Sequence, residues 1–237
     1  MGYNINEVAV AGARKLTQLD FIANNLANAS TSGFKSEHLY YAMTGRDAQE
    51  GARSDLGATS TGIDFAQGTL LATGNRLDAG IEGDGFFAVE ENGGTTYTRN
   101  GSFVLNKNKE LVTKDGAKVL GDAGPLIIDG AEVNIDADGT IMVDGTMAGK
   151  FKIVSFGRPD QLTRGAGGRF IDDGNAELKK NETCRVSGGY LEASNVNAVK
   201  EMVEMIDVNR SFEAYQKIIQ TMSEMDKIST NRLGKLA

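Results

Sequence analysis

Residues 195–233 read NVNAVKEMVEMIDVNRSFEAYQKIIQTMSEMDKISTNRL, and this stretch decides the fold. Asparagine can cap a helix at its start, and neither glycine nor proline interrupts the run before Gly234. Met202, Met205 or Ile206, Phe212, Tyr215, Ile219, Met222, Met225 and Leu233 keep a spacing near 3.5, broken by Asn209 on the same row. The pattern predicts one long amphipathic helix; about 35 residues at about 1.5 Å each extend roughly 50 Å. That length exceeds an ordinary globular helix and points to a coiled coil or to packing against other chains.

At the other end, Ile5, Val8, Leu16, Leu19, Ile22 and Leu26 recur at steps of three and four or their sums, which predicts a second amphipathic helix from Asn4 to Asn28. Asn28, Ser30, Thr31, Ser32 and Gly33 end it, because short polar side chains compete for backbone hydrogen bonds and glycine accepts a left-handed terminus.

Between the helices, residues 44–189 hold 26 of the 30 glycines and read as short strands separated by turns. The predicted strands are Phe86 to Val89, Tyr97 to Thr98, Ser102 to Leu105, Lys118 to Leu120, Glu132 to Asp136, Ile141 to Val143 and Phe151 to Phe156. Turns at Asn92-Gly93-Gly94, Asn100-Gly101, Asp115-Gly116 and Asp138-Gly139 are expected to supply the positive φ of tight hairpins. Val133 and Ile135 alternate with polar neighbours, so antiparallel hairpins fit better than βαβ crossovers. The expected organisation is therefore α+β: residues 1–43 and 190–237 form a discontinuous helical domain, and residues 44–189 a central glycine-rich all-β body.

The 237 residues carry a net charge of -7, with no basic cluster, which disfavours nucleic acid and anionic membrane surfaces as partners. Residues 1–43 hold three basic and three acidic groups and residues 190–237 six and seven, so the body holds 16 against 22. Nearly neutral ends suit helices crowded side by side, whereas a solvated body tolerates like charge. The alternative is that both helices cover the body within one monomer. No apolar run reaches a membrane span, and Met1 to Asn28 lacks the pattern of a cleavable signal, so neither membrane insertion nor a cleaved leader is expected.

Little points to catalysis. His38 is the single histidine, read as a bystander in a turn-like region. Cys184 is the single cysteine, read as a small residue in a strand with nothing to activate it. Gly83-Asp84-Gly85-Phe86-Phe87-Ala88 satisfies the loose dinucleotide pattern, but a strand follows where a helix is needed, so a turn is the better reading. Asp136-Ala137-Asp138-Gly139 opens like a calcium loop, yet the twelfth position is Met147, which leaves a hairpin tip. No cofactor or metal is expected. Carboxylate pairs of a glycoside hydrolase leave no chain-spacing signal among 32 acidic residues.

Three blocks carry a family resemblance. Ala23 to Lys35, with Asn24, Asn25, Leu26, Asn28, Gly33 and Phe34, looks like the N-terminal signature of flagellar rod and hook proteins. Gly68 to Asp78, with Gly74 and Asn75, leads into Ile81 to Phe87, with Gly83, Asp84, Gly85 and Phe86, and resembles the family's central segment, continued by Tyr97 to Gly101 and Leu111 to Thr113. Leu191 to Asn197, with Asn195 and Asn197, followed by Glu201 to Val203 and Met205-Ile206, resembles the start of its C-terminal helix. Ile206 to Glu213 looks most like the proximal-rod members, with the distal-rod members as the alternative. Arg76 departs from the proline common at that position, and Phe212 from the tyrosine of distal-rod and hook members.

The resemblance implies a non-enzymatic subunit of the periplasmic drive shaft of the flagellar basal body, exported without a cleaved signal through the flagellar type III apparatus. Its partners would be copies of itself and neighbouring rod proteins. The terminal helices would pair as a coiled-coil-like stalk, with the faces carrying Ile5, Val8, Leu16, Leu19, Ile22, Leu26, Met202, Ile206, Phe212, Tyr215, Ile219, Met222 and Met225 making the assembly contacts. The competing classes are a secreted β-domain adhesin or other extracellular filament subunit, and a peptidoglycan-cutting enzyme.

Overall fold

The computed structural model describes residues 5–41, 59–91, 93–180 and 184–233. The first helix, α1, spans Ile5–Ala27 and the last, α2, spans Ala198–Leu233. Asn197 caps α2, its Oδ1 accepting the Lys200 N–H at 3.1 Å. After α1 the chain turns, Thr31 N–H donating to the Asn28 carbonyl at 3.0 Å, and Gly33 sits at φ 68°. Neither helix, among the described residues, is long and apolar enough to cross a membrane.

The described chain divides into two compact units. The helical unit contains α1, α2 and a two-stranded pair, β1 (Glu37–Tyr41) with β2 (Thr59–Ile63). Ile63 at the end of β2 already counts with the second unit, which also takes residues 28–36 and 64–195. His38 lies inside β1 and not in a turn, because the chain extends immediately after Ser36.

In the sheet unit, β3 (Leu70–Ala72), β4 (Ala79–Glu82), β5 (Phe86–Glu91), β6 (Gly94–Thr98), β7 (Phe103–Leu105), β8 (Leu111–Thr113), β9 (Lys118–Gly121) and β10 (Gly124–Pro125) come first. Next come β11 (Val133–Ile135), β12 (Thr140–Val143), β13 (Thr146–Lys150), β14 (Ile153–Phe156), β15 (Thr163–Arg164), β16 (Phe170–Ile171) and β17 (Leu178–Lys180). Two short strands close the unit, β18 (Arg185–Gly188) and β19 (Tyr190–Glu192). The main sheet runs β15-β16-β6-β5-β9-β8-β7, with β14 and β10 paired at its side and β17 on β14. β11-β12-β13 form a separate meander, and β18 pairs with β4 and β19 with β3, all antiparallel.

The unbroken apolar run at the start of β5 follows from its position inside the unit, where both faces are covered. Phe87 and Val89 enter one core with Phe103, Leu111, Val119, Ile141, Phe151, Ile81 and Val186; Phe86 and Ala88 enter the other with Tyr97, Val154 and Phe170. Phe87 stands edge-on to Phe103 at 5.2 Å and Phe86 to Phe170 at 5.5 Å between centroids.

Gly83 has φ 95° ahead of β5, so the glycine-rich segment is a turn followed by a strand. Asp138-Gly139 is a hairpin tip: Asp138 Oδ1 accepts the Thr140 N–H at 3.0 Å and Gly139 has φ 84°. Gly93, Gly116 and Gly139 take positive φ, but Gly94 and Gly101 do not. At Gly101 the requirement is close approach, since a Cβ there would lie 1.6 Å from the Ala79 carbonyl oxygen. Asn92 falls outside the described residues. Cys184 precedes β18 instead of lying within a strand; its Sγ donates to the Asp84 carbonyl at 3.2 Å, and burial pushes the thiol up.

Candidate functional site

Within the helical unit, α1 and α2 lie against one another. Gln18 Nε2 donates to Glu204 Oε1 at 3.1 Å, and Gly12 sits where the Tyr215 Cβ passes 3.8 Å from its missing side chain. Ile22 and Val208 are buried, while Val8, Leu19, Leu26, Met205, Phe212, Tyr215, Ile219 and Met222 are half-buried. Leu16, Met202, Ile206 and Met225 are exposed, at 46%, 49%, 52% and 60%. The Ile5 side chain lies outside the described residues.

α2 therefore carries two apolar rows. One passes through Met205, Val208, Phe212, Tyr215, Ile219 and Met222, the more covered positions; the other, with Val199, Met202, Val203, Ile206, Ile218, Met225 and Ile228, remains in water. A single heptad pattern merges these rows, because Ile206 and Val208 differ by only two positions yet point about 200° apart.

Asn25 acts like a short piece of strand edge. Its Oδ1 accepts the Glu37 N–H at 3.0 Å and its Nδ2 donates to the Glu37 carbonyl at 3.0 Å, so both backbone groups at the start of β1 are satisfied by one carboxamide. The same Nδ2 reaches the buried Glu201 Oε2 of α2 at 3.5 Å.

The sheet unit contains a buried charge cluster. Lys35 is fully covered, and its Nζ donates to Glu192 Oε1 at 2.6 Å and to the Ala66 carbonyl at 2.7 Å. Arg99 Nη1 donates to Glu192 Oε2 at 3.3 Å, and its guanidinium lies 5.0 Å from the Phe86 ring centroid. Burial lowers the pKa of both cations from their ordinary values, and the Glu192 carboxylate opposes that fall. Gly68 N–H donates to the same carboxylate at 2.9 Å. Asn195 completes the cluster: its Oδ1 accepts the Ser36 N–H at 2.7 Å and its Nδ2 donates to the Asp64 carbonyl at 2.8 Å. Removing one member of such a buried pair typically costs about 3–5 kcal/mol, because the other charge stays buried without its partner.

The remaining signature residues serve the backbone. Phe34 is buried under the Arg164 guanidinium at 4.6 Å. Gly74 takes φ 72°, and Asn75 Nδ2 donates to the buried Asp78 at 2.9 Å. Asn28 Oδ1 accepts the Thr31 hydroxyl at 3.2 Å, Asn24 is exposed, and Gly85 sits just ahead of the buried Phe86. Lys35, Arg99, Glu192, Glu201 and Val208 all lie inside the quoted signature blocks, yet none is singled out there; charged side chains are so seldom fully buried that pattern alone does not nominate them.

Comparison with known proteins supplies the rest. The profile described as "Flagella basal body rod protein" matches residues 11–35, "Flagellar hook protein FlgE/F/G D1 domain" residues 80–143, and "Flagellar basal body rod FlgEFG protein C-terminal" residues 187–233. The chain is 35% identical to "Flagellar basal-body rod protein FlgF" of Caulobacter vibrioides over 98% of its own length and 99% of that protein. It is 34% identical to "Flagellar basal-body rod protein FlgF" of Escherichia coli, with 94% and 95% covered. With "Flagellar basal-body rod protein FlgG" of Bacillus subtilis it shares 32%, over 88% and 90%. On these grounds the chain belongs to the flagellar basal-body rod protein family.

Proposed function

We infer that this chain is a structural subunit of the flagellar basal-body rod, polymerising with copies of itself and neighbouring rod proteins into the shaft that carries torque from motor to hook. One observation carries the mechanism: α2 presents a second apolar row, through Met202, Ile206 and Met225, that remains half-exposed in the isolated chain. Completing the burial of one such side chain contributes about 1 kcal/mol, so a modest contact repeated along a polymer yields stiffness. Heterologous contacts whose rotation does not close generate an open helix.

On this reading the terminal segments, 1–43 and 190–237, form the assembly domain, with α1 and α2 paired as a coiled-coil-like stalk, and residues 44–189 form a separate β body. The chain catalyses no reaction, and it reaches the periplasmic rod unfolded, through the flagellar type III apparatus, without a cleaved signal. A proximal position, with a distal one as the alternative, is supported by the resemblance of Ile206 to Glu213 and by Phe212. The names of the relatives give the adhesin alternative no support.

Met202→Asp or Met225→Asp, both on the exposed row, is expected to abolish incorporation into rods while leaving the sheet unit folded, read by motility and by isolation of basal bodies. Normal rods and swimming in both variants would refute the mechanism.

A further inference from the structure

Segments far apart in the chain meet at one carboxylate. Glu192 receives Lys35 and Gly68 on Oε1 and Arg99 on Oε2, across separations of 157, 124 and 93 residues. Its own carbonyl accepts the Gly33 N–H at 2.7 Å. The approach is tight: a Cβ on Gly33 would lie 2.4 Å from the Arg99 carbonyl carbon, and one on Gly68 would lie 2.0 Å from the Ala193 oxygen. The same stretch gives β18 to β4 and β19 to β3, and Asn195 holds Ser36 and Asp64. The main sheet uses none of it, since its strands lie between Phe86 and Lys180.

We propose that residues 185–195 are a closing strap, with Glu192 as its clasp, and that the layer built from residues 33–36, 66–72, 78–82 and 99–101 becomes ordered in a separate last step after the main sheet has formed. Before Glu192 arrives, Lys35 and Arg99 lack their shared counter-charge, and β3 and β4 lack the strands they pair with. Burying the two cations at that stage is unfavourable, whereas the core around Phe86 takes nothing from residues 185–195 and the core around Phe87 lacks only Val186 of the strap with Ala79 and Ile81 of β4. A chain delivered from its N-terminus keeps this layer open until its last fifth is present. The inference rests on the cluster alone and stands whether or not the protein works in a rod.

Native-state amide hydrogen exchange on the full-length chain, in rising sub-denaturing urea, tests it. The amides of Gly33, Gly68, Ala193, β3 and β4 are expected to open together, at lower urea than those of β5, β6 and β8. Opening of both groups in a single step overturns the proposal. In full-length Glu192→Gln the first group is expected to exchange about 100-fold faster or more, with β5 and β8 within about twofold of wild type. Equal acceleration everywhere, or none, counts against it; should this variant not fold, the wild-type measurement still decides.

Discussion

Two substitutions two positions apart on α2 separate folding from assembly. Val208 is 4% exposed and Ile206 is 52% exposed, so they sit on opposite rows of the helix. Val208→Asp forfeits the burial of a valine, about 1.5–3 kcal/mol, and places a carboxylate among apolar side chains, for a total of about 4 kcal/mol or more. Ile206→Asp leaves the carboxylate half in water and shifts the stability of the isolated chain by about 0.5 kcal/mol or less. In a polymer the order reverses for Ile206, because a neighbour must then desolvate the new charge. A loss of about 3 kcal/mol per contact weakens each addition more than about 100-fold. Urea denaturation of purified chain, followed by helical circular dichroism, measures the first effect. Swimming and recovery of rods from strains carrying each variant measure the second. Ile206→Asp is expected to unfold like wild type and to assemble no rod. Normal assembly by Ile206→Asp, or a stability loss equal to that of Val208→Asp, would refute the assignment of the two rows.

Gly33→Ala combines a left-handed φ of 68° with a contact of 2.4 Å to backbone, whereas Gly74→Ala, at φ 72°, meets nothing within 4 Å. The first is expected to cost about 3 kcal/mol and the second about 1 kcal/mol in equilibrium denaturation; equal losses would show that the packing against Arg99 does not matter. Asp138 has its pKa lowered from an ordinary 3.8 to about 2, first by the Thr140 backbone N–H and then by Lys150. A folded pKa below the unfolded one adds stability above about pH 4 that fades as pH falls toward about 2. Carboxylate NMR should give a midpoint near 2 that changes little with salt, since the backbone donor is not screened away as the exposed lysine is; a midpoint near 3.8 would contradict the hairpin geometry.

The extent of both helices was legible because apolar spacing, the cap at Asn197 and the short polar run from Asn28 act locally; Gly33, expected at the helix end, lies beyond Ala27 and packs against Arg99 instead. Strands β5, β6, β7, β9, β11, β12 and β14 were legible for the same reason, through turn residues and alternation such as Val133 and Ile135, whereas β3, β4, β8, β10, β13 and β15 to β19 were not, most being too short to carry a pattern of their own. Which helical row faces inward was not, since α2 is apolar on two sides and composition alone ranks Ile206 and Val208 alike. The Asn100-Gly101 pair reads as a turn, whereas the role of Gly101 depends on Ala79, more than twenty positions away. The cluster at Glu192 was least legible, because its partners are brought together only by strand pairing over nearly the whole body.

A helix that stays oily on one side after its own partner is seated has no self-limiting geometry. On the proposed reading, every subunit that docks re-creates the surface on which it docked, so the tip of the shaft is never chemically finished. Its length is then not written into α2 at all; growth stops only when a protein with a different outer face arrives, or when supply ends.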